Sequence, residues 1–461
     1  PVQIETPSLG AERIMKMKKL MLAALTLSFA LSTGAENWPQ WRGPHHNGFS
    51  KEKNLPDNFS KTKNVAWSTE MPGMAAATPV IWGNHVFIST TDEGQNPRTL
   101  NAAALDRRTG RILWNHVIAE GVSQDNRSNY ASNSPVTDGK VAVYFYGNGD
   151  LVAYDFAGKR IWRRNIEKDY GQFAFGWTFS SSPILYEGTL YLQVLQRNEP
   201  TRGRGVQGAK SYLLAMDPNT GKTKWKHIRP SKAAAESLEA FSTPVPFEHN
   251  GRKEIVIAGG DCATGHDPKT GRELWRWGTW NPNRIGHWRL VPSPGIGGGV
   301  ILASAPKGEP IYAIKAGLSG TQDDSALAWT SDKRALTADV ATPSFAHGDF
   351  FILADKLRDE TLSRVEPKTG RVKWSLTLPD NRQLWRTSPT VADGKVYCMD
   401  HGGNVAVVSA NTGELIREVA MGRDGDKNTR SSIAVSQGQL FIRSNWKVFC
   451  IGKGAQVAKA R

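Results

Sequence analysis

The chain has 461 residues, of which 39% are hydrophobic and 22% charged, and it contains 45 Gly, 25 Pro and 16 Trp. This length suits one large all-β domain or two to three ordinary domains, and the three cysteines (Cys262, Cys398 and Cys450) are too few and too scattered for a disulfide framework or a cysteine metal site. The formal net charge of +15 favours anionic partners, but the sequence contains no basic helix or RNA-binding signature, which argues against nucleic acid.

The first predicted element is a signal peptide. A basic stretch at residues 15–19 precedes an apolar run at residues 20–31, which is too short to span a bilayer comfortably, and small residues allow cleavage near Ala35. No cysteine follows that could carry a lipid. We interpret residues 1–14 as an upstream extension of the signal peptide. We therefore expect a periplasmic or secreted protein with no integral membrane segment after signal cleavage.

A repeated unit begins after residue 64. Its most regular part is the string DPKTGRELW at 267–275, which also occurs as DRRTGRILW at 106–114, DPNTGKTKW at 217–225 and EPKTGRVKW at 366–374. Each aligned unit opens with a Ser/Thr-Pro mark and an apolar strand. The marks are Thr78, Ser134, Ser182, Thr243, Ser293, Thr342, Ser388 and, in a degenerate eighth unit without proline, Ser432. Their spacing of about 50 residues is that of a four-stranded propeller blade.

The ends of the units do not coincide with their starts. Units end in Trp, or in Ile416 at the equivalent place, but Trp67 precedes the first mark, and no Trp strand follows the unit that opens at Ser432. Residues 65–68 can supply the missing outer strand. We therefore predict an all-β fold, an eight-bladed β-propeller of four-stranded antiparallel blades, closed by pairing an N-terminal strand with the C-terminal blade. The predicted parts are a signal peptide with its extension (1–35), a lead-in segment (36–64), the propeller (65–452) and a C-terminal tail (453–461).

The recurring residues have structural tasks in this prediction. The Gly of each Thr-Gly pair supplies a positive φ in a tight turn, and the Asp before it accepts backbone N–H bonds within that turn. The terminal Trp buries about 150–250 Å² against the neighbouring blade. These tasks fall on Trp67, Asp106, Gly110, Trp114, Trp162, Asp217, Gly221, Trp225, Asp267, Gly271, Trp275, Trp329, Gly370 and Trp374.

The units follow the pattern Ala-x-Asp-x-x-Thr-Gly-x-x-x-Trp and resemble the repeats of pyrroloquinoline-quinone-like (PQQ-like) β-propellers over residues 38–452. The lead-in string NWPQWRGPHHNGFS at 37–50 is also similar, which implies a segment that crosses the propeller edge and is pinned by Trp38 and Trp41. That family contains quinoprotein dehydrogenases, which use the quinone and a calcium ion, and non-enzymatic relatives such as the scaffold lipoprotein of the outer-membrane barrel-assembly machine. The fold alone does not choose between these functions.

The residues that the resemblance implies for an alcohol-oxidising site are missing. No two cysteines are adjacent, the implied calcium-binding carboxylate falls near Val206, and Glu199 lies too far upstream. Asn281 and Asn283 alone cannot hold calcium, which takes six to eight oxygens including carboxylates. We therefore expect no catalytic residue, no metal site and no cofactor. PQQ and calcium belong only to the alternative of a PQQ-dependent alcohol or polyvinyl-alcohol dehydrogenase.

Residues just before each inner strand are expected to line one mouth of the central channel. The candidate ligand-binding residues there are Trp177, His287, Trp288, Arg289, Trp385, Arg386 and Arg430. Aromatic rings with guanidinium groups suit a planar anion, a sugar polymer or an acidic peptide. In the alternative interpretation, the Trp side chains plug the channel and the Arg side chains pair with local carboxylates.

The preferred functional hypothesis is a non-enzymatic binding or scaffold protein of the bacterial envelope, present as a monomer. Its partner would be an envelope protein or an anionic polymer such as a polysaccharide. A carbohydrate- or cell-wall-binding module is the second alternative after the dehydrogenase. The insertion at 229–241 has a helical composition and could be a lid, a partner contact or an inert connection.

Overall fold

The computed structural model describes residues 35–92, 98–278, 280–355, 360–380, 383–424 and 426–452. The predicted signal peptide and C-terminal tail lie outside these residues, apart from Ala35. Within the described part of the chain, no helix is long and apolar enough to cross a membrane.

The described chain forms eight sheets that follow one another in sequence, so the predicted eight-bladed propeller is confirmed. Two strands precede the first blade: β1 (Phe49–Ser50) and β2 (Val65–Glu70). Blade 1 contains β3 (Val80–Trp82), β4 (His85–Thr91), β5 (Thr99–Asp106) and β6 (Ile112–Glu120). Blade 2 contains β7 (Val136–Thr137), β8 (Ala142–Phe145), β9 (Asp150–Tyr154) and β10 (Arg160–Asn165), followed by helix α1 (Ile166–Tyr170).

Blades 3 to 5 continue the pattern. Blade 3 contains β11 (Ile184–Tyr186), β12 (Thr189–Val194), β13 (Tyr212–Met216) and β14 (Thr223–Ile228). Blade 4 contains β15 (Val245–His249), β16 (Arg252–Gly259), β17 (Cys262–His266) and β18 (Glu273–Trp277). Blade 5 contains β19 (Gly295–Gly297), β20 (Val300–Ser304), β21 (Ile311–Lys315) and β23 (Leu327–Thr330), with β22 (Gly320–Gln322) between the last two.

Blades 6 to 8 complete the ring. Blade 6 contains β24 (Ser344–Ala346), β25 (Asp349–Ala354), β26 (Thr361–Val365) and β27 (Val372–Thr377). Blade 7 contains β28 (Thr390–Ala392), β29 (Lys395–Met399), β30 (Asn404–Ser409) and β31 (Leu415–Ala420). Blade 8 contains β32 (Ala434–Ser436), β33 (Gln439–Arg443) and β34 (Lys447–Ile451). Three short 3-10 helices lie at Ala235–Leu238, Pro306–Gly308 and Asp324–Ala326.

Blade 8 takes its fourth strand from the other end of the propeller. Strand β2 pairs antiparallel with β34, with Val65 opposite Ile451 and Trp67 opposite Cys450. The sheet order β2-β34-β33-β32 confirms the predicted closure by an N-terminal strand. Because a closed ring leaves only the outer strand of each blade as a free edge, the inner ladders are protected from pairing with other chains.

Burial follows the position of a strand within its blade. Middle strands such as β8 and β9 are buried along their whole length, whereas outer strands such as β14 and β27 alternate between exposed and half-buried residues. Runs of apolar residues therefore form the middle of each blade, and alternating sequences rich in Lys and Arg form its edge.

The repeat Trp lies near the start of the outer strand, not at its end as the sequence suggested, and in most blades it docks on the turn of the next blade. Its Nε1 donates to a backbone carbonyl of that turn over 2.7–3.2 Å, in the pairs Trp67–Arg107, Trp114–Phe156, Trp162–Pro218, Trp225–Pro268, Trp329–Pro367 and Trp374–Ala410. The ring covers the turn glycine so closely that a Cβ on Gly370 would lie 2.7 Å from Trp329. The glycine therefore has two tasks, its positive φ and the room that it leaves for the ring.

Trp275 departs from this arrangement. Its Nε1 donates to Oε2 of Glu254 within its own blade, over 2.5 Å. Blade 5 has no Thr-Gly turn at the place where Trp275 would dock. Instead β22 leaves blade 5 and pairs in parallel with β18, so that residues of blade 5 cover the outer edge of blade 4.

Candidate functional site

The lead-in segment crosses one end of the central channel. Backbone or side-chain hydrogen bonds tie it to the inner strands of six blades, at Ile81, Thr137, Leu185, Phe345, Val391 and Ser436. These contacts lie downstream of the Ser/Thr-Pro marks. Trp38 is fully buried against blade 1, and Trp41 lines the channel cavity. The segment therefore spans the channel itself, whereas the resemblance implied a crossing at the propeller edge.

The Ser/Thr-Pro marks form a ring of hydroxyl groups around the channel, which we call the hydroxyl collar. The backbone N–H of one mark donates to the side-chain oxygen of the mark in the next blade over 2.8–3.1 Å. Seven such links are present: Thr78–Ser134, Ser134–Ser182, Ser182–Thr243, Thr243–Ser293, Ser293–Thr342, Thr342–Ser388 and Ser432–Thr78. Each hydroxyl in these links accepts one bond and keeps its own hydrogen for donation into the channel.

A second ring lies next to the collar, formed by the residue two positions before each mark. We call it the mouth ring. In blade order its members are Ala76, Ser132, Ser180, Phe241, Val291, Val340, Arg386 and Arg430, and all of them line one cavity of about 420 Å³. Collar hydroxyls of five blades also line that cavity, as does Trp41. The repeat thus delivers one side chain per blade to the same cavity, and these side chains differ from blade to blade.

Basic side chains outnumber acidic ones in this cavity. The cationic groups that line it are Arg127, Arg289, Lys307, Arg386 and Arg430, whereas its carboxylates are Asp125 and Asp339. Asp125 is engaged by the backbone N–H groups of Arg127, Ser128 and Thr178. The cavity is therefore electropositive and attracts anions.

Arg386 and Arg430 lie on the neighbouring blades 7 and 8. The Arg386 side chain is 8% exposed, and its Nε lies 4.0 Å from Oδ2 of Asp355. Nη2 of Arg430 donates to Oδ1 of Asn428 over 3.3 Å. Both Nε atoms are buried and have no hydrogen-bond partner among the described residues. Burial first, and then the charges of Arg386 and Arg127, lower the pKa of Arg430 to about 10.

The carboxylate of Asp355 offsets the positive charge of Arg386 only in part. Its buried carboxylate accepts the backbone N–H groups of Asp339 and Val340 over 2.7 and 2.9 Å. These bonds favour the ionised form, but burial has the larger effect and raises the pKa of Asp355 to about 7. The buried carboxyl group therefore holds its negative charge beside Arg386 less firmly than an exposed aspartate would.

Trp177 holds guanidinium groups at the mouth. Its ring centre lies 4.9 Å from the guanidinium carbon of Arg289, 5.2 Å from that of Arg202 and 5.7 Å from that of Arg127. Its Nε1 donates to Oε1 of Glu236 over 3.0 Å, and Arg289 donates to the same oxygen over 2.6 Å. Glu236 belongs to the insertion at 229–241, which therefore positions Trp177 and Arg289.

The seven candidate residues separate into two groups. Trp177, Arg289, Arg386 and Arg430 line the cavity, whereas His287, Trp288 and Trp385 do not belong to its lining. His287 is exposed, and Trp288 packs beside the core of blades 4 and 5. Trp385 is 1% exposed and donates its Nε1 to the carbonyl of Pro379. Neighbouring residues in extended chain point to opposite sides, which places Trp385 in the core and Arg386 in the cavity.

Sequence reasoning missed Arg127 and Lys307. Arg127 lies in the connection between β6 and β7, further ahead of its mark, Ser134, than Arg386 and Arg430 are ahead of theirs. The position that pointed to those two residues is occupied in blade 2 by Ser132, so it does not identify Arg127. Lys307 lies in the connection between β20 and β21, and no feature of the repeat points to it.

The donor set of the cavity does not fit calcium. Calcium takes six to eight oxygens including carboxylates, but Asp125 is bonded to backbone N–H groups, and the surrounding side chains are cationic. Among the described residues, no group of three or more His, Cys, Asp and Glu side chains could hold a metal ion. The three cysteines are free and buried in separate blades, and Val206, at the implied carboxylate position, is 48% exposed. The described lining therefore does not offer the carboxylate oxygens that calcium takes in the alcohol-oxidising branch.

Comparisons with known proteins agree with the architecture. A family model described as outer membrane protein assembly factor BamB matches residues 59–198, 103–333 and 264–461. No curated protein sequence matches the chain. Quinohemoprotein alcohol dehydrogenase from Comamonas testosteroni has a TM-score of 0.59 at 13% identity, with 92% of this chain and 82% of that chain covered.

Two further solved structures are similar. A europium-containing methanol dehydrogenase has a TM-score of 0.63 at 11% identity, with 89% of each chain covered. BamB from Moraxella catarrhalis has a TM-score of 0.53 at 14% identity, with 84% of this chain and 99% of that chain covered. At these identities the likeness concerns the fold, which enzymes and non-enzymes share.

Proposed function

The chain belongs to the family described as outer membrane protein assembly factor BamB, and we propose that it is an exported, non-enzymatic propeller of the bacterial envelope that binds an anionic ligand or partner in its central cavity. The partner would be an anionic polymer or an acidic segment of an envelope protein. No quinone or calcium is needed for this function.

One observation carries the proposal. Arg386 and Arg430 line the cavity, and their buried Nε atoms have no hydrogen-bond partner among the described residues. A buried donor without a partner costs about 1–3 kcal/mol, and more when the group is charged. An anion in the cavity would accept from these guanidinium groups and offset the positive charge of the cluster.

The same geometry argues against a neutral carbohydrate ligand. Sugars in aromatic sites need an open ring face, but Arg289, Arg202 and Arg127 surround the ring of Trp177. The Trp177 ring therefore holds guanidinium groups in position, and a ligand in the cavity meets these cations and not the ring face. The dehydrogenase alternative rests on the fold shared with relatives at 11% and 13% identity.

We expect the protein to bind polygalacturonate, an anionic polysaccharide, and not dextran, a neutral one. The double variant Arg386→Gln/Arg430→Gln should weaken polygalacturonate binding about 10- to 100-fold, because charge-assisted hydrogen bonds contribute that much. Isothermal titration calorimetry at low and moderate salt measures the affinity.

The matched control is Arg111→Gln/Arg272→Gln, which also removes two charges, from exposed turns of blades 1 and 4 outside the cavity. It should leave the affinity nearly unchanged. Equal losses in the control and in the cavity variant would mean that the net charge, and not this site, attracts the polymer. Equal binding of dextran would sink the proposal.

A further inference from the structure

We infer that the mouth ring selects a phosphate monoester with an apolar body, because a basic arc and an apolar arc adjoin in the same ring. This inference rests on the proposed function, since it names the class of anion that the cavity takes.

The mouth ring is chemically asymmetric. Its members are basic in blades 7 and 8 (Arg386 and Arg430), apolar in blades 4 to 6 (Phe241, Val291 and Val340) and small in blades 1 to 3 (Ala76, Ser132 and Ser180). The three apolar side chains are only half-buried. Leu384, which also lines the cavity, is 44% exposed. A ligand in the ring therefore meets cations on one side and uncovered apolar surface on the adjoining side.

The charge of the basic arc fits a dianion better than a monoanion. Arg127 adds a third guanidinium group, since its charge acts on Arg430 together with that of Arg386. The charges of Asp125 and Asp355 oppose this only in part, because Asp125 is bonded to backbone N–H groups and burial raises the pKa of Asp355 to about 7. A carboxylate brings two oxygens and one charge, whereas a phosphate monoester brings three terminal oxygens and about two charges.

The hydroxyl collar adds donors on the same side. Ser388 and Ser432 are the marks of blades 7 and 8, two residues after Arg386 and Arg430, and both line the cavity. The Ser388 hydroxyl already accepts an N–H from Thr342, so its hydrogen is left for a ligand oxygen. Guanidinium forks and serine hydroxyls together form the donor set that phosphate oxygens accept from.

Calorimetric titration with three small probes tests the two preferences that the inference contains, one for a dianion and one for an apolar body. Phenyl phosphate carries the dianion and an apolar body, glucose 6-phosphate carries the dianion on a polar body, and benzoate carries one charge on an apolar body. We expect phenyl phosphate to bind about tenfold more tightly than glucose 6-phosphate, because its ring buries apolar surface. Benzoate should bind at least about tenfold more weakly than phenyl phosphate, because it loses a charge and an oxygen.

Two variants test which residues recognise the apolar body and which recognise the phosphate. Val291→Thr/Val340→Thr should remove about three- to tenfold of the phenyl phosphate affinity and leave glucose 6-phosphate unchanged. Val372→Thr, on an outer strand where Val372 is 42% exposed, is the matched control and should change neither. Arg430→Gln should weaken both monoesters, whereas Arg111→Gln should weaken neither.

Equal affinity for the three probes, or no effect of the valine variants, would overturn the inference. Polygalacturonate binding without binding of either monoester would overturn it too and leave the proposed function standing. If neither the polymer nor any probe binds, both fail.

Discussion

Replacing Trp67 by alanine is expected to lower the free energy of unfolding by about 3–5 kcal/mol, as the loss of a buried tryptophan does. Trp67 is 7% exposed, its Nε1 donates to the carbonyl of Arg107 over 2.7 Å, and its ring covers Gly110. It is also part of β2, the strand that completes blade 8. The variant therefore weakens the one joint at which the two ends of the propeller meet. Thermal and urea unfolding followed by circular dichroism measure the loss.

Cys450 provides a local readout of the same variant. It lies opposite Trp67 in the β2–β34 pair, and burial raises the pKa of its thiol to about 12. Opening of blade 8 would expose this thiol to alkylating reagents, so Trp67→Ala should speed the labelling of Cys450. Cys262 and Cys398, in blades 4 and 7, are internal controls and should label at the original rate under native conditions.

Two further substitutions provide reference values for the free-energy loss of Trp67→Ala. Trp374→Ala removes a comparable joint between blades 6 and 7 and should cost a similar free energy. The strand register places Arg417, and not Ile416 as the sequence suggested, at the Trp position of blade 7. Ile416→Ala therefore alters an outer-strand residue that is 41% exposed and should cost well under half as much. A loss for Trp67→Ala no larger than that for Ile416→Ala would mean that β2 is an appendage and does not hold the ring closed.

Gly370→Ala is expected to cost about 2–5 kcal/mol of unfolding free energy, the second large effect. Gly370 has a φ of +73°, which costs an alanine about 1–2 kcal/mol. The added Cβ would also lie 2.7 Å from the Trp329 ring, and such overpacking adds about 1–3 kcal/mol. The same unfolding experiments measure it.

Gly394→Ala separates these two contributions. Gly394 also lies in a tight turn, with a φ of +69°, but a Cβ there would meet no described heavy atom within 4 Å. It should therefore show only the conformational cost of about 1–2 kcal/mol. Equal losses of unfolding free energy in the two glycine variants would mean that the Trp329 ring moves aside at no energetic cost. The repeated string DPKTGRELW and its copies would then form turns but would not hold neighbouring blades together.

The sequence was sufficient for the architecture because its signal is repeated. Each blade packs against its neighbours through the same kinds of residues, so the marks and the Thr-Gly turns recur at about the spacing of a blade. The eight starts and eight ends match only if the first end, at Trp67, completes the last unit, at Ser432, and this offset located the closing strand β2. Departures such as Trp275 could not be foreseen, because they depend on β22, a short strand of blade 5 that pairs with its neighbour.

The candidate site was harder to predict because its side chains differ from blade to blade and do not follow the repeat. Arg386 and Arg430 were found because they stand near the marks, but Trp385 was assigned to the cavity with them. Only the side to which each residue points distinguishes the buried Trp385 from Arg386. The hydroxyl collar joins residues about 50 positions apart, so its hydrogen bonds become visible only once the ring is closed.

The most direct test of the central proposal, that this propeller works without the quinone and calcium of the dehydrogenases, is reconstitution of the purified protein with pyrroloquinoline quinone and calcium. We predict that no calcium-dependent, stoichiometric chromophore remains with the protein after gel filtration. We also predict that alcohols cause no dye reduction above a protein-free control. A bound chromophore at one equivalent, together with alcohol-dependent dye reduction, would contradict the account.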